Sequence, residues 1–318
     1  MLRYALRRLA QMVPVLIVIS IATFILMSLV VGDPVYIILG QETAVDEQTI
    51  QQMREDLGVD RPVPVQYLDW LRHVLTGDLG TSWRTPVPVT ETIMDRLPVT
   101  LELAFLALVL ALSISIPLGT IAALRPGSPL DLAISGFAAI SLSIPNFWLG
   151  ILLIFAFSLK LGWLPSSGYV SFTADPAQNL KLMILPTVTL AMAYIGSQAR
   201  YVRSTMLEVL DQDYVRTARA KGLKSHIVIF RHAMRNALIP IITILGLEMG
   251  SLFAGAVVTE TIFSLPGMGT LLIEAVFGRD LPLVQGVVLF ITFAVVLVNL
   301  ITDLSYAILD PRIRAMYG

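Results

Sequence analysis

Little in this sequence is equipped to make or break covalent bonds. It contains no cysteine, so thiolate catalysis, disulfides and cysteine-based metal sites are excluded. Its three histidines, His73, His226 and His232, stand at no metal-ligand spacing and read as surface or packing residues. There is no G-x-S-x-G, no H-E-x-x-H and no G-x-x-x-x-G-K-S/T, hence no hydrolase elbow, zinc-protease helix or nucleotide-binding loop. Polar groups inside apolar runs stand out instead: Glu102, Glu248 and Asp303, with Asn299 as a neutral companion. A charge in hydrocarbon costs about 2.5–3.5 kcal/mol or more, so such groups face a bundle interior or water. Glu248 lies between Gly246 and Gly250, a spacing that lets another helix approach closely. Two readings stay open there: a polar lining of a translocation path, which would include Ser251 and Asn299, or a structural pairing at a helix contact. Asn299 is four residues before Asp303, so the two share a helix face. For Asp303, toward the end of its run, a structural role is the simpler reading. Glu102, near the other end of its run, has a plain route to water.

The second chemically distinctive stretch is 201–236, which holds Arg203, Arg216, Arg219, Lys221, Lys224, Arg231 and Arg235. Asp211 or Asp213 can cap a short helix through Tyr214-Val-Arg-Thr-Ala-Arg-Ala-Lys221, and Gly222 stops it. Ser225 can cap the next helix, through Ile227 and Phe230 to Met234. A bare basic loop obeying the positive-inside rule would need neither the caps nor the length.

The elements that carry these groups are membrane helices. Of 318 residues, 56% are hydrophobic and 14% charged, against about 25% charged in soluble domains; mean hydropathy is +0.77. A net charge of −1 favours no nucleic-acid partner. A span needs about 20 apolar residues, and six stretches qualify: 10–31, 99–124, 132–159, 182–200, 237–259 and 286–308. The first is too long for a signal peptide core and reads as a retained anchor. With the N-terminus inside, the inside segments hold fourteen Lys and Arg and the two short outside loops three, namely Lys160, Lys181 and Arg279. Both termini are therefore expected on the cytoplasmic side. The long outside segment 32–98 reads as a small helical cap. A first helix, 46–57, carries Ile50, Met53 and Leu57 and ends at Gly58, and a second, 65–75, carries Leu68, Leu71 and Leu75 on one face. Gly77-Asp-Leu-Gly80 makes a turn. The division is an anchor (1–31), a cap (32–98), a core (99–310) containing 201–236, and a tail (311–318): an all-α transmembrane chain of about six helices. Pro117, Pro145, Pro186 and Pro240 fall in or beside spans, where proline kinks helices or is simply frequent.

Asp213-Tyr-Val-Arg-Thr-Ala-Arg-Ala-Lys-Gly222-Leu, followed by Arg231-His-Ala-Met-Arg-Asn-Ala-Leu-Ile-Pro240, resembles the cytoplasmic EAA loop of bacterial ABC importer permeases, in the form of the oligopeptide/dipeptide permease family. Gly32-Asp-Pro34, Leu57-Gly-Val-Asp-Arg-Pro62, Gly77-Asp-Leu-Gly-Thr-Ser82, Leu161-Gly-Trp-Leu-Pro165, Phe263-Ser-Leu-Pro-Gly-Met-Gly269 and Asp310-Pro-Arg312 match in the same order, over nearly the whole chain. The loop's name-giving Glu-Ala-Ala reads Arg216-Thr217-Ala218 here, so no partner contact can rest on a Glu.

The resemblance implies a type I importer-like fold in a bacterial cytoplasmic (inner) membrane. It also implies no enzymatic activity in this chain, ATP and Mg being used on partner subunits. The implied partners are a second homologous permease, two ATPase subunits and an extracytoplasmic substrate-binding protein, with short peptides or a related small solute as cargo. Asp213, Tyr214, Arg216, Thr217, Ala218, Arg219, Ala220, Lys221 and Gly222 would form the helix that docks on the ATPases. Ala218 and Ala220 would keep that helix slim, Gly222 would permit its sharp exit, and its cations would suit acidic rims. Trp70, Trp83 and Phe263 are the candidate docking surface for the binding protein. The alternative, a secondary transporter working without an ATPase, is disfavoured by the ordered segment 201–236. An intramembrane protease would need a second transmembrane Asp to pair with Asp303, and none is present.

Overall fold

The computed structural model describes residues 2–30, 34–39 and 46–309. Gly32 and Asp33, the Asp310-Pro-Arg312 end and the tail 311–318 lie outside the described residues, as do the side chains of Arg3, Arg7, Arg8 and Asp303. The described chain is helical, and its one pairing of extended backbone is an isolated antiparallel bridge between Thr81 and Pro88. In order the helices are α1 (Leu2–Val30), α2 (Pro34–Leu39), α3 (Glu47–Leu57), α4 (Val63–Leu75), α5 (Val89–Leu124), α6 (Pro129–Ser143), α7 (Asn146–Leu153), α8 (Pro176–Leu210), α9 (Asp213–Ala220), α10 (Ser225–Ile227), α11 (Met234–Phe263), α12 (Met268–Phe277) and α13 (Leu281–Leu309). Ile154–Lys160 continues α7 as a π-helix, and Val228–Ala233 joins α10 to α11 in the same form.

Five helical stretches are long and apolar enough to cross a membrane, and two further pairs, each broken by a short turn, pass the same test. Two of these seven, Ser225–Gly246 and the pair beginning at Glu248, meet within the continuous helix α11 and count once. Six crossings result: α1, α5, α6 with α7, α8, α11 and α13. The expected third span, 132–159, is not one straight helix. Its two halves meet at 100°. The residue before a proline is pushed out of the helical region, and Ile144 accordingly sits extended at φ −82°, ψ 120° before Pro145.

The chain forms two compact units. One is built on Leu6–Val99 with Gly267–Val296. In it α4 lies against α1, with Tyr67 edge-on to Phe24 at 5.5 Å, Trp70 6.1 Å from the same ring, and the Tyr67 hydroxyl 2.9 Å from Ser20 Oγ. Its core gathers Met27, Val89, Ile93, Met268, Leu271, Val284 and Val287. Asp280, buried ahead of α13, accepts from the backbone N–H of Trp83 at 3.2 Å and of Leu283 at 3.4 Å, and from the Ser82 hydroxyl. This unit therefore takes residues from the expected anchor, cap and core alike.

The other unit is built on Thr100–Pro266 with the last turns of α13. Its centre is α8, which packs on α6, α7 and α11. Two glycines let backbones meet: a Cβ on Gly119 would lie 2.6 Å from the Ala199 carbonyl, and one on Gly196 2.7 Å from that of Ala138. α8 is started by Asp175, whose carboxylate accepts from Ala177 and Gln178, with Pro176 in the first position. Its 35 residues run about 52 Å at 1.5 Å per residue, well beyond the ~30 Å hydrocarbon core. The surplus carries the chain into α9.

Candidate functional site

α9 is a two-sided helix. Val215 and Ala218 are buried beneath it, against Val228 of the π-helical turn and Leu210 at the end of α8. Asp213, Tyr214, Arg216, Thr217, Arg219, Ala220 and Lys221 face outward. Ala218 thus seats the helix rather than slimming its outer face. The expected caps are not made. Gln212 holds the N-cap position without a side-chain bond, and Lys224 does so before α10. Asp211 is used differently, accepting from Arg216 Nη2 at 2.6 Å, which raises the arginine's pKa and holds it charged. Thr217 donates to the Asp213 carbonyl at 2.9 Å, and Asn236 Nδ2 to the Tyr214 hydroxyl at 2.9 Å, a tie back to α11. Gly222 follows at φ +75°, with open space where a Cβ would stand. Glycine is needed there for its backbone, not for room.

Deeper in the same unit, Gln198 of α8 donates to Glu248 of α11 at 2.6 Å, and Tyr194 donates to Ser251 Oγ at 3.1 Å. Residues 194 and 198 are one helical turn apart, as are 248 and 251, so the two helices meet in a polar seam. Glu248 and Ser251 are brought together there, and Ser251 also bonds the Glu248 carbonyl at 2.6 Å. Asn299 is not part of the seam's hydrogen bonding, and its Oδ1 is buried without a partner among the described residues. The close approach around Glu248 is real: a Cβ on Gly246 would lie 1.8 Å from Thr302 of α13. Glu102 does not simply reach water. The Tyr169 hydroxyl donates to it at 2.8 Å, and burial together with that carboxylate pushes the phenol up to about 12.

Two groups were invisible as pairs along the chain. Asp131, at the start of α6, holds Arg203 of α8 in a bidentate ion pair, Nε at 2.5 Å and Nη2 at 2.7 Å. Thr100 donates to the fully buried Glu260 at 2.6 Å. The proposed docking aromatics fare unevenly. Phe263 is 1% exposed and closes on Gly150, so it offers no surface to a partner. Trp70 is half-buried against Phe24 and Tyr67. Trp83 is half-buried on the Val89–Ile93 core. The large apolar area of these rings favours packing. No group of three or more potential metal ligands occurs among the described residues.

The site is thus a short amphipathic helix seated at the end of an over-long span of a multi-pass helical protein. Residues 115–315 match the family described as the binding-protein-dependent transport system inner membrane component, and residues 1–104 match its N-terminal companion. The chain belongs to this family and is a permease subunit of a transport system. It is 44% identical over 309 residues to a Brucella abortus protein named as a peptide transport system permease, covering 97% of this chain and 98% of that one. It is 43% identical over 317 residues to the oligopeptide transport system permease protein AppB of Bacillus subtilis, covering 99% and 100%. To the dipeptide transport system permease protein DppB of Escherichia coli it is 41% identical over 337 aligned positions, covering 99% of each chain. Among solved structures, the fold is similar to a chain of the MetNI methionine ABC transporter in an inward-facing conformation. The TM-score is 0.57 at 18% identity, over 69% of this chain and 96% of that one.

Proposed function

We propose that this chain forms the translocation path of an ATP-driven importer of short peptides. It would pair with a second homologous permease, two cytoplasmic ATPase subunits and an extracytoplasmic binding protein. ATP and Mg would be bound by the ATPases. The observation that carries the reading is α9: Val215 and Ala218 fix its apolar side to α8 and the π-helical turn, while the other residues of 213–222 face outward, open to a partner. A rigid peg joined to a long span converts movement of a partner into tilt of that span. The relatives' names supply the peptide cargo. The excess of Lys and Arg on one side supports a cytoplasmic place for α9 and both termini, and the family's description supports a bacterial inner membrane. The seam of Glu248 and Ser251, with Asn299 on α13, is the candidate lining of the path.

The test is a mild-detergent pull-down of the tagged chain from its native membrane, with co-purifying chains identified and ATP hydrolysis measured. A second permease and ATPase chains are expected. Gly222→Val should release the ATPases, because a β-branched residue at φ +75° strains the exit of α9 by about 1–2 kcal/mol or more. A chain that purifies without any ATPase in several detergents would overturn the proposal.

A further inference from the structure

We propose that the groove between α6 and α8 is a second cargo subsite, one that takes the C-terminal carboxylate of the peptide as it leaves the path. This deepens the peptide-import reading above and rests on it. The groove has a volume of about 690 Å³ and is lined by Ser135 and Leu142 of α6 and by Ser197, Arg200, Arg203 and Ser204 of α8, among others. That is within the ~300–1,000 Å³ of small-molecule sites. The lining recurs at helical spacing, 135, 139 and 142 on one wall and 197, 200, 201 and 204 on the other. It therefore runs about 10 Å along the helices, the reach of two to three extended residues at ~3.5 Å each.

Its charge is the second point. Arg203 is already neutralised, because both oxygens of Asp131 are engaged by its Nε and Nη2. Asp131 is also held by the backbone N–H of Gly127 at 2.9 Å and is 3% exposed. Arg200 is different: it is exposed, and its guanidinium has no hydrogen-bond or ion-pair partner among the described residues. The groove thus presents one uncompensated cation flanked by serine hydroxyls, a combination that suits a single carboxylate. In the orientation proposed above, Arg200 and Arg203 stand at the inner end of α8, where water or cargo can reach them. Ser197, Arg200, Arg203 and Ser204 lie between residue 197 and the start of α9 at 213, the stretch of α8 next to the part a partner would move.

The experiment uses the intact transporter in proteoliposomes, its binding protein withheld from the crosslinking step so that cargo selection outside does not enter. The probe is a dipeptide whose C-terminal residue is benzoylphenylalanine, made as the free acid and as the amide. Light-induced adducts are mapped by mass spectrometry, and transport of the free dipeptide is measured separately with the binding protein present. We expect adducts of the acid on 135–142 or 197–204, and about tenfold fewer with the amide or with Arg200→Gln, the loss that follows from removing one charge-assisted bond. Arg200→Lys should retain the charge and rescue the adduct. Co-purification of the partner subunits checks that each variant assembles, and Ser204→Ala offers a milder change of the same site should Arg200→Gln not assemble. Adducts that ignore the carboxylate, or that map elsewhere, overturn the subsite while leaving peptide import standing. So does native mass spectrometry that finds a phospholipid held by Arg200 in place of the probe. Absence of any peptide transport overturns both readings together.

Discussion

Two arginines thirteen residues apart, Arg203 on α8 and Arg216 on α9, each face an aspartate, and the two pairs do opposite work. The Asp131 side chain is 4% exposed and that of Arg203 30%; those of Asp211 and Arg216 are 80% and 62% exposed. The inner pair crosses from α6 to α8 with two parallel bonds, and Asp131 gains further donors from Gly127 and Ser135. The outer pair is a single bond between neighbours in sequence, in water, where such contacts contribute little. One arginine is therefore part of the frame, and the other is held charged at a surface that a partner can use. The peg itself is kept in place by neither pair but by Val215, Ala218 and Val228.

The largest effect should come from breaking the inner pair. Asp131→Ala removes both bonds that tie α6 to α8 and the hold on the Gly127 N–H, and leaves Arg203 without its partner. We expect most of the folded chain to be lost from the membrane, read by size-exclusion profile and thermal unfolding. Asp211→Ala should leave both readouts near wild type. If the two variants behave alike, the contrast is wrong.

Next in size is the seat of α9. Full burial of a valine side chain is worth about 1.5–3 kcal/mol, and Val215→Asp would lose that and place a charge against Val228. The expected result is an intact, monodisperse membrane chain that no longer retains ATPase subunits. Loss of the whole fold instead would mean that α9 is part of the frame. Smaller still is Arg216→Ala, expected to lower the cargo-stimulated rate of ATP hydrolysis only a few-fold. Raised salt should mimic that change on the wild type, because an exposed pair is screened within about 8–10 Å at ordinary ionic strength. The inner pair should not respond to salt.

How far these regions are legible along the chain follows from how local their causes are. α9 ends where it does because Gly222 can take φ +75°, a property of one residue, and α3 ends at Gly58 for the same reason. Six apolar runs give six crossings. The break at Pro145 is written in the dipeptide Ile144-Pro145, but whether the halves form one straight span or a sharp bend depends on what α7 packs against. The caps of α9 and α10 were misplaced by a residue, since Asp, Ser, Gln and Lys can all stand at the boundary and Arg216 competes for Asp211. Partners 50 and 72 residues away, Gln198 for Glu248 and Arg203 for Asp131, leave no local trace. The burial of Phe263 leaves no local trace either, because burial is a property of the neighbours and not of the ring.

The smallest effect lies between the two pairs in exposure. Tyr169 donates to Glu102 at 2.8 Å from a loop outside the spans. Burial first, and the nearby carboxylate second, push its pKa from 10.0 to about 12. A folded-state pKa above the unfolded value means that the folded chain holds the proton more tightly. The stabilisation is complete below pH 10, declines as pH rises from 10 and is gone once the pH passes about 12. Tyr169→Phe should therefore lower thermal stability slightly at neutral pH and flatten its decline across that window, measured on the purified complex. Phenolate absorbance should show one tyrosine titrating late in the wild type and missing from the variant. If the wild type and Tyr169→Phe lose stability in parallel above pH 10, the bond to Glu102 is as weak as that of the outer arginine, and exposure alone does not rank these contacts.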